Sequence, residues 1–218
     1  MSNATVIDIK RGIAPPPGAI DAGVAADLKT LQDKAASRDA HGILELALTG
    51  EFAGKTAVVS SFGAESAVLL KLVADIDPNT PILFLNTGKL FGETLRYRDR
   101  LQDMLGLGDV RSLAPSLEAR IKNDADGTLW STNADACCDF RKTIPLSRAL
   151  APFKAQVTGR KRFQTRERAD MLPVEYFDGR YRFNPLWQWD LQQLEAFAER
   201  NSLPRHPLRR FGTTFRRC

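Results

Sequence analysis

Residues 56–71 read TAVVSSFGAESAVLLK. The stretch opens as a short β-branched apolar run (56–62) that ends in small and hydroxyl residues. It continues as the amphipathic series ESAVLLKLVADI (65–76). Apolar runs of that length bounded by Gly and Ser read as buried strands, and the longer periodic run reads as a helix. The unit is therefore strand, tight loop, helix. The same alternation recurs outward from it: strand PILFLNT (81–87), helix GETLRYRDRLQDML (92–105), a weaker strand DVRSLAP (109–115), strand KAQVTG (154–159), strand YRFNPL (181–186) and helix DLQQLEAFAERN (190–201). Strands separated by helical stretches predict an α/β fold with a mostly parallel sheet flanked by helices.

Upstream, DLKTLQDKAASRDAHGILELALTGEF (27–52) reads as two helices, with Leu28, Leu31, Ile43, Leu46 and Leu48 directed inward. APPPG at 14–18 predicts a stiff leader, so residues 1–20 are read as a flexible leader and 21–218 as a single domain. CCDFRKTIPLSRAL (137–150) reads as helical, with Pro145 in an early turn or opening a second helix.

The chain has 218 residues, 43% of them apolar and 26% charged, as in ordinary globular domains. A net charge of +5 and a pI near 9.3 favour an anionic partner. Three cysteines, an odd number, speak against a disulfide framework and for the cytoplasm, where thiols act as ligands or nucleophiles. Neither a signal-peptide core nor a membrane span is legible, so no membrane partner is expected.

Three segments carry chemistry. The first is the loop after the 56–62 strand, where Ser60, Ser61 and backbone N–H groups at a helix start are suited to meet an anion. A plain α/β turn also calls for Gly and Ser, and the loop is neither a G-x-G-x-x-G nor a Walker sequence. It resembles the nucleotide loop of the adenine nucleotide α-hydrolase superfamily. Asn86 and Thr87 close the next strand at the same carboxyl edge. The second segment, TGRKRFQTRERA (158–169), groups Arg160, Lys161, Arg162, Arg166 and Arg168 after a strand end. Such a run is often a solvated face, but here it points to phosphate or sulfate. Without a stacking motif among the neighbouring aromatics, nucleic acid is not expected as a partner. The third is Cys137–Cys138 beside Arg141 and Lys142. Adjacent cysteines form a disulfide only with strain. Soft-metal or cluster ligation and chance pairing remain as the alternatives, with zinc disfavoured because its usual Cys-x₂-Cys or His partners are missing.

Together these segments resemble the assimilatory sulfonucleotide reductases, the adenylylsulfate (APS) and phosphoadenylylsulfate (PAPS) reductases. SSFGAESAVLL (60–70) is similar to the family's nucleotide loop, LNTGKLFGETL (85–95) to its Leu-Asp-Thr-Gly…Glu-Thr segment, and CCDFRKTIPL (137–146) to its Cys-Cys-x-x-Arg-Lys-x-x-Pro-Leu block. TGRKRFQTRERA, FNPLWQW (183–189) and NSLPRHPL (201–208) follow in the family's order. The resemblance implies an adenine nucleotide α-hydrolase-like fold. The implied substrate contacts are Ser60, Ser61, Phe62, Gly63, Ala64, Glu65, Thr87, Gly88, Lys161, Arg162 and Arg168. The cysteine pair implies the APS branch, in which Cys137 and Cys138 ligate a 4Fe–4S cluster and Lys142 acts electrostatically between cluster and sulfate. The implied reaction is reduction of APS to sulfite and AMP, in assimilatory sulfate reduction for cysteine biosynthesis. A tail cysteine attacks sulfur, and thioredoxin resolves the thiosulfonate. PAPS reduction and a catalytically impaired nucleotide-binding homologue are the alternatives. Asn86 and Phe163 depart from the family's acidic residues.

In PLRRFGTTFRRC (207–218), Cys218 falls where the family has the first cysteine of its second ligand pair. The fourth ligand and the nucleophilic tail cysteine are not in the sequence as written, by truncation, by frameshift or as a natural state. A cluster on three thiolates is expected to be labile. The 218-residue polypeptide is accordingly expected to release little or no sulfite from APS with reduced thioredoxin. A sulfite assay on the purified chain checks this, and measurable thioredoxin-dependent release would overturn it.

Overall fold

The computed structural model describes residues 20–208. The expected leader, apart from its last residue, and Cys218 lie outside the described residues. The elements in chain order are α1 (Ala22–Ala36), α2 (Ala40–Leu48), β1 (Thr56–Ser60), α3 (Ser66–Ala74), β2 (Ile82–Leu85), α4 (Gly92–Leu105), β3 (Val110–Leu113), α5 (Leu117–Asp124), α6 (Leu129–Thr132), α7 (Ala134–Cys138), α8 (Ile144–Leu150), β4 (Ala155–Thr158), β5 (Val174–Phe177), β6 (Arg180–Phe183) and α9 (Leu191–Arg200).

The six strands form one sheet in the order β3-β2-β1-β4-β6-β5. All neighbours run parallel except β5, which pairs antiparallel with β6 at the edge. The mostly parallel α/β fold expected from the sequence is the fold observed. From β1 the chain winds through α3, β2 and α4 to β3 on one side. It then returns through α5 to α8 to place β4 on the opposite side of β1. The winding direction thus reverses between β1 and β4. In open α/β sheets, the crevice at the carboxyl ends of two such strands is where ligands bind.

The central strands are apolar because both faces of the sheet are covered: Val58, Ile82, Leu83, Phe84 and Val157 are all fully buried. One face packs against a large cluster that includes Leu31, Ile43, Leu44, Leu70 and Leu101, and Leu28, Leu46 and Leu48 border it half-buried. Helix ends carry their own stop and start signals. The Asp21, Asp39 and Asp190 carboxylates accept from backbone N–H groups at the starts of α1, α2 and α9. Pro145 sits in the first turn of α8, where its missing N–H costs no helical bond. Between α7 and α8 the segment Asp139–Thr143 is wound as a π-helix, so the helical path through 134–150 is continuous but locally widened.

The strands are shorter than the apolar runs suggest. The run 56–62 leaves the sheet at Ser60, whose Oγ accepts from the Phe62 N–H at 3.1 Å and turns the chain away. Phe62 then adopts φ 50°, a left-handed conformation disfavoured for a bulky residue. Its ring is fully buried and meets Phe84 of β2 edge-to-face, with centroids 5.2 Å apart. Aromatic packing thus holds the backbone turn that follows β1. Replacing Phe84 with Ala is expected to destabilise the protein by about 3–5 kcal/mol. Urea unfolding followed by circular dichroism checks it, with a lower midpoint at unchanged m-value as the expected result.

Candidate functional site

A cavity of about 460 Å³ opens at the reversal point. Its floor comes from the ends of β1 and β4 (Val59, Ser60, Thr158, Gly159). One wall is the 61–66 loop, and the opposite wall is Arg160, Lys161, Gln164 and Arg168. Of the residues picked out as substrate contacts, the cavity brings together Ser60, Ser61, Gly63, Ala64, Glu65, Lys161 and Arg168. Phe62 lies beneath in the core. Arg162 is engaged elsewhere: its Nε donates to the Met171 carbonyl at 2.9 Å, and its guanidinium lies 4.1 Å from the centre of the Trp187 ring.

The two walls are joined by charge. Lys161, with only 3% of its side chain exposed, donates from Nζ to Glu65 Oε2 at 2.6 Å and to the Gly159 carbonyl at 2.9 Å. Burial pushes the Lys161 ammonium below the ordinary lysine range, and the hydrogen bond and charge of Glu65 push back the other way. Arg168 is likewise held below the usual arginine value, by burial first and by the neighbouring Arg160 second. Behind this wall, Arg160 donates to Glu175 Oε2 at 3.1 Å. The same oxygen accepts from Asn184 Nδ2 at 2.9 Å and faces Arg182 at 3.7 Å. Arg182 is pushed down to about 10 by burial and by Arg160. Cations therefore outnumber the carboxylates that hold them on this side of the cavity, the setting an oxyanion requires.

Gly88 lines a different hollow, of about 350 Å³ around Lys89, Arg120, Asp124 and Arg141, and the buried Thr87 meets Arg141 of that hollow through its carbonyl. Arg141 donates from Nη1 to the Thr87 carbonyl at 2.7 Å and from Nη2 to Asp124. The arginine and aspartate side chains are 5% and 1% exposed. Asp124 also accepts from the Leu129 N–H at 2.9 Å. Burial opposes its ionisation, but the bonds from Arg141 and Leu129 and the charges of Arg141 and Lys89 prevail, so its carboxyl lies below the usual range. Gly88 has φ 72°, and a Cβ there would meet Arg141 Nη1 at 3.4 Å. The arginine that follows the cysteine pair is thereby clamped to the end of β2 and to α5.

Cys137 is fully buried and Cys138 half-buried at the end of α7, and neither forms a disulfide. Half-buried Lys142 has no hydrogen-bond or ion-pair partner among the described residues. Two neighbouring soft thiols next to cationic side chains suit iron or a cluster in chemistry. Among the described residues no group of three or more metal-ligating side chains gathers. The described residues therefore supply only part of a cluster's donor set. No helix among them is long and apolar enough to cross a membrane.

Sequence reading passed over Glu175 and Asp124 and gave Gln164 no role of its own. Gln164 had a local signal, because it ends a short 3₁₀ turn (Arg162–Gln164) and its Oε1 accepts from the Lys161 N–H three residues earlier at 3.2 Å. Asp124 had none, since its partner lies in another segment of the chain.

Comparison with known proteins is consistent with this geometry. A family profile described as "Phosphoadenosine phosphosulfate reductase domain" matches residues 55–217. The chain is 42% identical over 195 residues to the adenosine 5'-phosphosulfate reductase of Mesorhizobium japonicum, covering 89% of this chain and 77% of that protein. It is 42% identical over 174 residues to the adenosine 5'-phosphosulfate reductase of Chelativorans sp., covering 79% and 71%. Among solved structures, the PAPS reductase of Candida auris in complex with phosphate superposes with a TM-score of 0.71 at 22% identity, covering 85% of this chain and 90% of that one.

The Arg141–Asp124 pair has a measurable consequence. Asp124→Ala leaves a buried guanidinium uncompensated and is expected to cost about 3–5 kcal/mol at neutral pH. Because the folded carboxyl titrates below its unfolded value of about 3.9, the pair's contribution is complete at neutral pH and falls away only on acidification through the folded value. Unfolding of wild type and variant should therefore differ at pH 7 and converge towards pH 3. A difference that stays constant over that range would refute the assignment.

Proposed function

The chain belongs to the phosphoadenosine phosphosulfate reductase family of sulfonucleotide reductases, a family of oxidoreductases, and on that footing we propose that it serves the reduction of APS to sulfite and AMP with thioredoxin as electron donor. The observation that carries the reading is the cavity at the β1/β4 reversal point, walled on one side by the Ser60–Glu65 loop and on the other by Lys161 and Arg168. An adenylylated sulfate presents a nucleotide with a phosphate–sulfate anhydride, and the cavity offers a loop for the first and cations for the second. Lys161 and Arg168 are assigned to the phosphosulfate oxygens, and Ser60, Ser61, Gly63 and Ala64 to the nucleotide. Thr87, Gly88 and Arg162 lie outside this cavity, and we assign them to supporting the site from its flanks.

In the proposed reaction the thiolate of the family's tail cysteine, a residue other than Cys137, Cys138 and Cys218, attacks the sulfur of APS, the S–O bond to the phosphate breaks and AMP leaves. The enzyme then carries a thiosulfonate. One thiol of reduced thioredoxin attacks the enzyme's sulfur, sulfite leaves with the bonding pair, and the second thioredoxin thiol closes a disulfide that frees the enzyme thiol. The chain's own contribution is electrostatic: cations placed beforehand hold the oxygens where charge builds on the leaving phosphate. Lys142 is proposed for the same work beside the sulfate, its ammonium being unpaired among the described residues.

Cys137 and Cys138, with Cys218 beyond the described residues, are proposed as ligands of a 4Fe–4S cluster. When bound, such a cluster adds a charged neighbour that shapes the local field.

The cysteine pair favours APS over PAPS. Titration calorimetry with AMP, APS and PAPS tests the choice: APS is expected to bind at least about tenfold tighter than AMP, with no further gain from the 3′-phosphate of PAPS. Tighter binding of PAPS would transfer the assignment to PAPS reduction.

A further inference from the structure

The two walls of the cavity belong to segments about a hundred residues apart, and one neutral side chain ties the Glu65 carboxylate, the Arg168 guanidinium and the Lys161 backbone together. Gln164, exposed at the cavity's edge, donates from Nε2 to Glu65 Oε2 at 3.1 Å. Its Oε1 accepts from the Lys161 backbone N–H at 3.2 Å and from Arg168 Nη1. The Glu65 oxygen it reaches is the one that holds Lys161 Nζ. Both ends of the amide are therefore used, and each faces a group of the opposite requirement: an acceptor for the guanidinium, a donor for the carboxylate.

No other side chain of this size does both. A carboxylate would face Glu65 with like charge, and a hydrocarbon would leave Arg168 without an acceptor beside Arg160, whose charge repels it. Arg168 is a long, flexible side chain, and without an acceptor it has no reason to stay in one rotamer at the cavity wall.

We propose that Gln164 is a positioning residue for anion recognition: through its amide it holds Arg168 and Lys161 in register with the Glu65 loop, so that binding of the phosphate-bearing part of the ligand depends on it and binding of the nucleoside part does not. This rests on the cavity being the nucleotide site. The charged groups that face the amide are Glu65 from the nucleotide loop and Lys161 and Arg168 from its own segment, with Arg160 behind Arg168 and Glu167 on the adjoining turn.

The test compares the wild-type chain with Gln164→Leu and Gln164→Glu, each checked for folding by circular dichroism and thermal melting. Binding of APS and of adenosine is then measured by titration calorimetry at pH 8. Gln164→Leu is expected to weaken APS about tenfold or more while adenosine changes less than about twofold. Gln164→Glu, nearly isosteric, keeps an acceptor for Arg168 but turns a like charge on Glu65, and is expected to weaken APS while adenosine changes less than about twofold. The inference is overturned if folded variants bind APS within about twofold of wild type, or if APS and adenosine weaken in parallel, the mark of a merely structural role. Should Gln164→Leu fail to fold, Gln164→Glu alone decides. If the wild-type chain binds neither APS nor adenosine, the nucleotide reading falls and this inference with it. Binding by wild type that both variants retain sinks the inference alone.

Discussion

Lys161 carries a charge in a place where a charge is expensive, and it is held there by Glu65 at 2.6 Å on the far wall of the cavity. The attraction runs across the gap between the end of β1 and the end of β4, two strands that are neighbours only because the chain reverses its winding direction there. Everything around the site follows from keeping that gap open and polar while the sheet beneath stays dry. Ser60 turns the chain out of the sheet, Phe62 anchors the turn in the core against Phe84, and Gly159 contributes a backbone carbonyl to the lysine instead of a side chain to the cavity.

A second buried pair does comparable work at the cysteine-bearing corner. Arg141 follows the thiols in sequence but bonds to Thr87 and Asp124, and so ties the π-helical segment after Cys138 to the end of β2 and to α5. Breaking such a pair costs more than the pair contributes, because the partner left behind remains buried and charged. The two pairs together place basic side chains at the carboxyl edge of the sheet while leaving Lys142 without a partner among the described residues.

Where sequence reading stopped short, the cause is specific. Helix α5 (LEARIKND) shows no apolar stripe because Leu117 and Ile121 face solvent and its buried residue is Asp124. Periodicity has nothing to detect in a helix held by an ion pair. Strand β5 was missed although Asp178–Gly179, both at positive φ, mark the tight hairpin turn that joins it to β6.

The alternation of apolar strand and amphipathic helix settled the α/β class without any coordinates, since burial of both sheet faces demands that pattern locally. Local motifs likewise marked the loop after β1, the basic segment and the cysteine pair, because turn chemistry and charge density are written in adjacent residues. Which cations would line the cavity was another matter. Lys161 and Arg162 are neighbours, yet one reaches Glu65 and the other lies on Trp187, and only packing between distant segments separates them. Long-range pairs such as Arg141 with Asp124, or Gln164 with Glu65, have no local imprint: each side chain satisfies a partner that arrives from another part of the fold, and the cost of burying it alone is felt only once the fold has closed.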